Sequence, residues 1–311
     1  MISVAICTFN RADSLRQTLN SLVELRAPVH ADWELLVVDN NSSDNTAEVV
    51  SSFESRLPLR YAFEGEQGLS AARNRALMEF KGDLLLFTDD DVIVDPLWLV
   101  AFDRAAERFP LAGYFGGRVL PFWSDRKPRW LKDESLALIS GLLVRFDLGD
   151  ETHEFATNQP TPFGASFALR RTTIDKVGLF RRDLGVNGGV PGRGEESEYL
   201  DRVQTAGWAG VYVGEAIARH WTDPKRLKLA YLYRYGVQVG TAAVRTGSTA
   251  SGSIFQALVF ALKAIFQILR GRGDRCRQCV INIGIQAALR DKRNLLLKTS
   301  TLTSSHSDGE Q

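Results

Sequence analysis

Cysteine, methionine and histidine are scarce: three, two and four among 311 residues. Three cysteines (Cys7, Cys276, Cys279) cannot build a disulfide framework, which excludes the small cross-linked secreted scaffolds and points to a reducing compartment. Cys276 and Cys279 form a lone C-x-x-C with no second pair and no nearby histidine, so they read as ordinary helix residues rather than a zinc or redox site. No G-x-G-x-x-G follows the first apolar run and there is no P-loop, so the usual cradles for a dinucleotide cofactor or ATP are missing. The opening Met1-Ile2-Ser3-Val4-Ala5-Ile6 has no charged leader before a long apolar stretch, so no signal peptide is read there. A strong net charge is missing too, but the total of +1 hides a split. Residues 1–218 carry 23 Lys/Arg against 32 Asp/Glu, a balance of −9, while residues 219–311 carry 15 against 5, a balance of +10. The two ends face different partners. With 44% hydrophobic and 24% charged residues the composition is that of a globular protein, and no internal repeats are visible.

What is present is strict alternation. Ser3 to Thr8 reads as a strand, Asp13 to Leu25 as an amphipathic helix, and Glu34 to Val38 as a second strand ending at Asp39-Asn40-Asn41-Ser42-Ser43-Asp44, which offers helix-capping chemistry. A helix to about Phe53, a strand at Leu59 to Phe63 and a helix at Leu69 to Phe80 follow. Leu84 to Phe87 is an unbroken apolar run, as expected of a strand buried on both faces of a sheet. Such alternation predicts an α/β fold with a doubly wound, mostly parallel sheet, whose ligands bind beyond the carboxyl ends of the strands. The polar residues fall at those ends: Thr8-Phe9-Asn10-Arg11, Asp39, Glu64 and Asp89-Asp90-Asp91.

The acidic triplet is the most informative of these. Carboxylates packed so closely raise each other's pKa unless a cation neutralises them, and Mg²⁺ or Mn²⁺ carrying substrate phosphates is the economical cation. The plain alternative is an acidic loop that ends a strand. Asp39 can accept a hydrogen bond from a base imide or a ribose hydroxyl. Arg73, one turn into the third helix, can reach a base or a diphosphate, or it is a solvated helix arginine.

Ser3-Val4-Ala5-Ile6-Cys7-Thr8-Phe9-Asn10-Arg11, Val37-Val38-Asp39-Asn40-Asn41-Ser42-Ser43-Asp44, Gly68-Leu69-Ser70-Ala71-Ala72-Arg73-Asn74 and Thr88-Asp89-Asp90-Asp91, in that order, resemble the family 2 glycosyltransferases of the GT-A fold over roughly residues 1–222. These are inverting enzymes that use nucleotide sugars. The resemblance implies that Thr8, Asn10, Arg11, Asp39, Arg73, Asp89 and Asp90 contact the nucleotide sugar. It makes the triplet a D-x-D motif, with Asp91 on the metal and Asp89 nearer the donor.

The middle of the chain then reads as an acceptor half. Ala112 to Leu120 is a strand, and Pro121 to Pro162 is an aperiodic loop whose Trp123 and Trp130 are sugar platforms or loop anchors. His153 is expected in an exposed loop. Pro162 to Leu169 returns as a strand with small residues that permit close backbone approach. The glycine-rich Gly185 to Gly194 leads into Glu195-Glu196-Ser197-Glu198, which opens a helix ending near Gly207. Acidic residues in a first turn are favoured by the helix dipole, so capping accounts for them on its own. The resemblance implies a general base here. The family usually shows Gly-Glu-Asp where this chain has Gly194-Glu195-Glu196, so Glu196 takes the role and Glu195 stays a competitor. Tyr212 to Ala218 is the last strand, followed by Arg219-His220-Trp221, where the family often places a third metal ligand, so His220 joins Asp91 and Asp89.

The last third is basic. Asp223 to Gly247 reads as helix, Ser248 to Ser253 as linker, Ile254 to Leu269 as an apolar helix, about Arg277 to Leu297 as another, and Thr299 to Gln311 as a disordered tail. The apolar helix has 16 residues with Lys263 in its middle, short of the roughly 20 that span a bilayer. Residues 253–293 hold eight Lys/Arg and two Asp, and the helix is amphipathic, which suits a peripheral membrane surface or, alternatively, a face packed on the catalytic domain or on a second copy in a homodimer. The expected organisation is a nucleotide-sugar half at 1–115, an acceptor half at 116–222, a helical region at 223–298 and a tail from 299.

These readings converge on a metal-dependent, inverting transfer of sugar from a UDP- or dTDP-linked donor to a hydroxyl of a glycan or lipid-linked acceptor, in cell-surface polysaccharide synthesis at the inner face of the cell membrane. No nucleic-acid partner is expected. Two rivals are a sugar-nucleotide pyrophosphorylase, which wants a basic glycine-rich phosphate loop after the first strand, and an inactive carbohydrate- or membrane-binding module.

Overall fold

A computed structural model describes residues 1–28, 31–123, 140–156, 159–187, 192–247, 254–269 and 273–291. Two units emerge: Met1–Ser124 with Val144–Arg182 and Glu195–Thr222, and Asp125–Leu143 with Asp183–Gly194 and Asp223–Gln311.

The first unit opens with β1 (Ile2–Thr8), α1 (Ala12–Val23), β2 (Trp33–Asp39), α2 (Thr46–Ser51), β3 (Leu59–Phe63), α3 (Leu69–Glu79) and β4 (Leu84–Asp89), the alternation expected. Alternate side chains of each strand enter opposite layers. Val4, Ile6, Leu35, Val37, Leu84 and Leu86 pack with Leu15 and Leu19 of α1 and Val49 and Val50 of α2. Ala5, Leu36, Val38, Leu85 and Phe87 pack with Ala72 and Ala76 of α3. Burial on both faces is why these strands lack polar alternation. Gly82, just before β4, passes so close to the first strand that a Cβ there would lie 2.6 Å from the Met1 carbonyl oxygen.

The second half of the sheet is where order and direction depart from simple alternation. It contributes β5 (Val92–Val94), α4 (Trp98–Arg108) and β6 (Ala112–Phe122). After α5 (Ser140–Leu143), which belongs to the second unit, come β7 (His153–Glu154), β8 (Phe167–Arg170), α6 (Arg171–Val177), α7 (Glu195–Thr205) and β9 (Ala209–Trp221). The order is β3-β2-β1-β4-β8-β6-β9-β5, with β7 beside β9. β1, β2, β3 and β4 are mutually parallel, and β6 runs parallel to β9, but β8 is antiparallel to both β4 and β6. The sheet is therefore mixed, with its first four strands parallel.

Several expected boundaries shift. The return strand starts at Phe167 rather than Pro162. His153 is not a loop residue: it lies in β7, opposite Tyr212, and its ring sits 5.2 Å from the tyrosine ring. β9 runs three residues beyond Ala218, because the end of β6 pairs with it on one side and β5, unforeseen right after the acidic triplet, on the other. Trp123 is half-buried just past β6; Trp130 lies outside the described residues.

In the second unit a 3₁₀ turn at Pro224–Leu227 precedes α8 (Leu229–Arg245), replacing the single helix expected from Asp223. The apolar helix is α9 (Ile254–Leu269), and α10 (Gly273–Arg290) begins four residues before the expected start. α8 and α10 meet at Gly236, Gly240 and Gly284, where a side chain on Gly236 or Gly284 would collide with the facing backbone. Cys276 and Cys279 are free thiols packed with Ala264 and Phe260, ordinary helix residues as read. On α9, Leu258 is 58% exposed and Leu262 67%. Among the described residues no helix is long and apolar enough to cross a membrane. The expected linker at 248–253 and the tail from Thr299 lie outside the described residues.

Candidate active site

The parallel strands end together: Thr8 is in register with Asp39, and Cys7 with Asp89. That brings the carboxylates and the β1–α1 loop to one edge. Asp44 organises the loop by accepting from the Ala12 amide (3.1 Å), the first residue of α1, and from Thr46. Asn10 takes a left-handed conformation (φ 52°), and its Oδ1 accepts the Ser43 amide at 2.7 Å. Asp39 is buried, receiving the Ser42 amide (2.9 Å) and the Tyr61 hydroxyl (2.8 Å). Tyr61 is a neighbour the sequence reading missed, since an aromatic in an edge strand carries no signal beyond β propensity. Burial and Asp39 together push its phenol up to about 12, so it stays a donor.

The acidic triplet is crowded, with Asp90 and Asp91 buried and Asp89 half-buried. Thr8 Oγ1 donates to Asp90 Oδ2 at 2.8 Å. Arg11 pairs with Asp90 Oδ1 (2.9 Å) and with Asp91 Oδ2 (2.7 Å). Burial, then Asp91, push Asp89 up to about 7; burial pushes Asp90 to about 7 despite Arg11. Arg11, and Arg73 acting on Asp89, do not offset this crowding, so the cluster wants more positive charge.

His220 completes it. The antiparallel pairing of β5 with β9 sets His220 opposite Val92, and the Trp221 amide donates to the Asp91 carbonyl at 2.9 Å. His220 Nε2 thereby lies 3.2 Å from Asp91 Oδ1. The imidazole is positioned by a strand, not by the loop expected after one. Ligand atoms of Asp89, Asp91 and His220 all lie within 4.8 Å of one another. Two carboxylates and one imidazole are a donor set that suits Mn²⁺ or Mg²⁺. The residues fit such an ion.

The second cluster lies on the α3 side. Arg73, expected as a base or phosphate contact, is 2% exposed, with Nη1 3.1 Å from Glu195 Oε1 and Nη2 2.9 Å from Glu196 Oε1. The rings of Phe87 and Phe180 flank its guanidinium at 6.0 and 5.7 Å. Burial works against its charge, but Glu196, Glu195 and Asp89 keep it protonated. Gly164 makes the room: a Cβ there would run into Arg73 Nη2 and Glu196 Oε1. The small residues around it were the one sequence signal of this close approach.

Arg73 splits the two glutamates. Burial and its neighbour Glu196 push Glu195 up to about 8, so it keeps its proton at neutral pH. Burial acts to raise Glu196, but the Arg73 charge, the hydrogen bond with Glu195 and a backbone amide together hold that carboxyl below its ordinary range. The Glu196 side chain is 21% exposed and that of Glu195 only 5%. An ionised, reachable carboxylate thus stands beside a neutral, enclosed one. Cys7 offers no rival nucleophile, because burial pushes its thiol up to about 12.

Residues 3–178 match the family model described as glycosyl transferase family 2. The chain is 24% identical over 264 residues to the succinoglycan biosynthesis protein ExoM of Rhizobium meliloti (strain 1021), covering 84% of this chain and 80% of that protein. Among solved structures, it is similar to the mannosyltransferase PcManGT of Pyrobaculum calidifontis, in complex with GDP-Man and Mn²⁺ (TM-score 0.60, 19% identity, 94% of this chain and 87% of that one). It is also similar to S. aureus TarS 1-349 in complex with UDP-GlcNAc (TM-score 0.54, 14% identity, 96% and 92%). At these identities the structural likeness shows the fold alone.

Proposed function

Because the chain belongs to glycosyl transferase family 2, we propose that it transfers a sugar from a nucleoside-diphosphate donor to a hydroxyl of a glycan or lipid-linked acceptor, with inversion at the anomeric carbon. The observation that carries the reading is the pairing of a cation-ready cluster, Asp89, Asp91 and His220, with an ionised Glu196 clamped by Arg73. Glu196 takes the proton of the acceptor hydroxyl as it attacks, a role that needs a carboxylate within hydrogen-bond reach. Arg73 holds that carboxylate in one orientation, and Glu195, keeping its proton, adds no competing charge. Asp39, with both oxygens already engaged, and Thr8 bind the nucleoside end. Asp89, Asp91 and His220 would hold a divalent ion, which would supply Lewis-acid neutralisation of the departing diphosphate.

The donor is taken to be UDP- or dTDP-linked. The TarS complex with UDP-GlcNAc supports a uridine donor, and the PcManGT complex with GDP-Man keeps guanosine in the test panel. The biosynthetic role of ExoM in making succinoglycan supports a place in cell-surface polysaccharide synthesis. Exposed Leu258 and Leu262 beside Lys263, in a basic segment, support contact with the inner face of a membrane.

The test is the anomeric configuration of the product, read from its ¹H coupling constant after incubation with α-linked donors, oligosaccharides and polyprenyl-phosphate-linked sugars. A β-linked product is expected; an α-linked one overturns the single-displacement mechanism.

A further inference from the structure

Arg11 already sits where a cation is wanted. Its two guanidinium nitrogens hold Asp90 Oδ1 at 2.9 Å and Asp91 Oδ2 at 2.7 Å, and Asp91 also belongs to the cation-ready cluster. The three partners differ in freedom. The Asp90 and Asp91 side chains are 5% and 2% exposed, whereas that of Arg11 is 40% exposed. Arg11 also lines a cavity of about 760 Å³ together with Asp13, Gln17, Asp44, Asp91 and Trp221. The two carboxylates are held by burial, and of the three side chains the arginine is the one open to solvent.

We infer that Arg11 is a displaceable counter-ion, which neutralises Asp90 and Asp91 before the donor arrives and moves from Asp91 to the donor's diphosphate when a divalent ion binds. This deepens the metal-dependent reading above and rests on it. Two cations drawn to one buried carboxylate repel each other, and the repulsion is poorly screened there. Without donor, the ion must push against the guanidinium. With donor, the guanidinium gains a diphosphate, whose oxygens match its planar fork better than a single carboxylate does. Metal and nucleotide therefore favour each other's binding, and the coupling is reciprocal. The geometry also accounts for an arginine rather than a lysine at position 11. A planar fork spans two carboxylates at once, and an ammonium does not.

The experiment titrates the protein with Mn²⁺, reading free Mn²⁺ by electron paramagnetic resonance, with Mn²⁺ alone and with UDP or GDP added. Arg11→Met, which keeps length and loses charge, is expected to bind Mn²⁺ alone about tenfold more tightly than wild type, and the gain on adding nucleotide is expected to shrink by about the same factor. Arg11→Lys, which keeps charge but loses the fork, is expected to fall between them. It decides the matter if the Met variant does not fold. Mn²⁺ binding by either folded variant that is equal to or weaker than wild type overturns the counter-ion role while leaving the metal site standing. No Mn²⁺ binding by wild type or variants overturns the metal reading and this inference with it.

Discussion

Glu196→Gln is expected to retain donor binding while transfer falls by roughly two to four orders of magnitude, the usual range for losing a general base. The reason lies in how Arg73 treats the two glutamates. It touches both, yet only Glu196 is ionised and partly open to solvent, and an acceptor hydroxyl needs both properties in its base. Glu195 is enclosed and keeps its proton, so its Gln variant imitates the neutral carboxyl already there. Glu195→Gln should therefore cost about tenfold or less, small beside the loss of a base. Steady-state transfer and nucleotide titration on both variants separate the cases. The reverse ranking would move the base to Glu195.

Asp91→Ala is expected to abolish transfer and to weaken metal-dependent nucleotide binding. A bound ion that neutralises a leaving diphosphate is worth several kcal/mol in the transition state. Its loss corresponds to roughly three orders of magnitude or more. The fold should survive, because removing one of three crowded carboxylates relieves repulsion and leaves Arg11 paired with Asp90. Unchanged melting with lost transfer is the expected pair of results. Full activity of this variant with a chelator present would remove the ion from the mechanism.

The parallel half of the sheet was legible because its cause is local. Strands buried on both faces must be continuously apolar, so Leu84 to Phe87 and its neighbours declared themselves, and the polar residues that interrupt them had to sit at the strand ends. A different signal marked Ile254–Leu269 at both ends: an apolar run broken by Gln256, Lys263 and Gln267 at helical spacing. The antiparallel half was less visible. Val92–Val94 is too short to register as a strand, yet its pairing extends β9 through His220 and sets the imidazole against Asp91. β7 has two residues and owes its existence to β9, so His153 looked like loop.

At the site, residue types were readable and partners were not. Arg73 was read as a base or phosphate contact, and nothing in the sequence pointed to the two glutamates it holds. Its partners lie 122 and 123 positions away and meet it because α3 and α7 cover the same face of the sheet. Gly164 becomes specific only once the Arg73 and Glu196 side chains are seen against it. Arg11 was read as a donor contact, and its grip on two aspartates about 80 positions away arises only where the strand ends meet.

The most direct measurement is release of free nucleoside diphosphate when the purified protein meets a panel of UDP-, dTDP- and GDP-sugars, with Mn²⁺ and with chelator. Release from at least one donor is expected with Mn²⁺, rising when acceptor glycans are added and vanishing with chelator. Release that ignores the chelator, or conversion of the donor with pyrophosphate to nucleoside triphosphate and sugar 1-phosphate instead, would contradict a metal-dependent glycosyl transfer at Asp91 and Glu196.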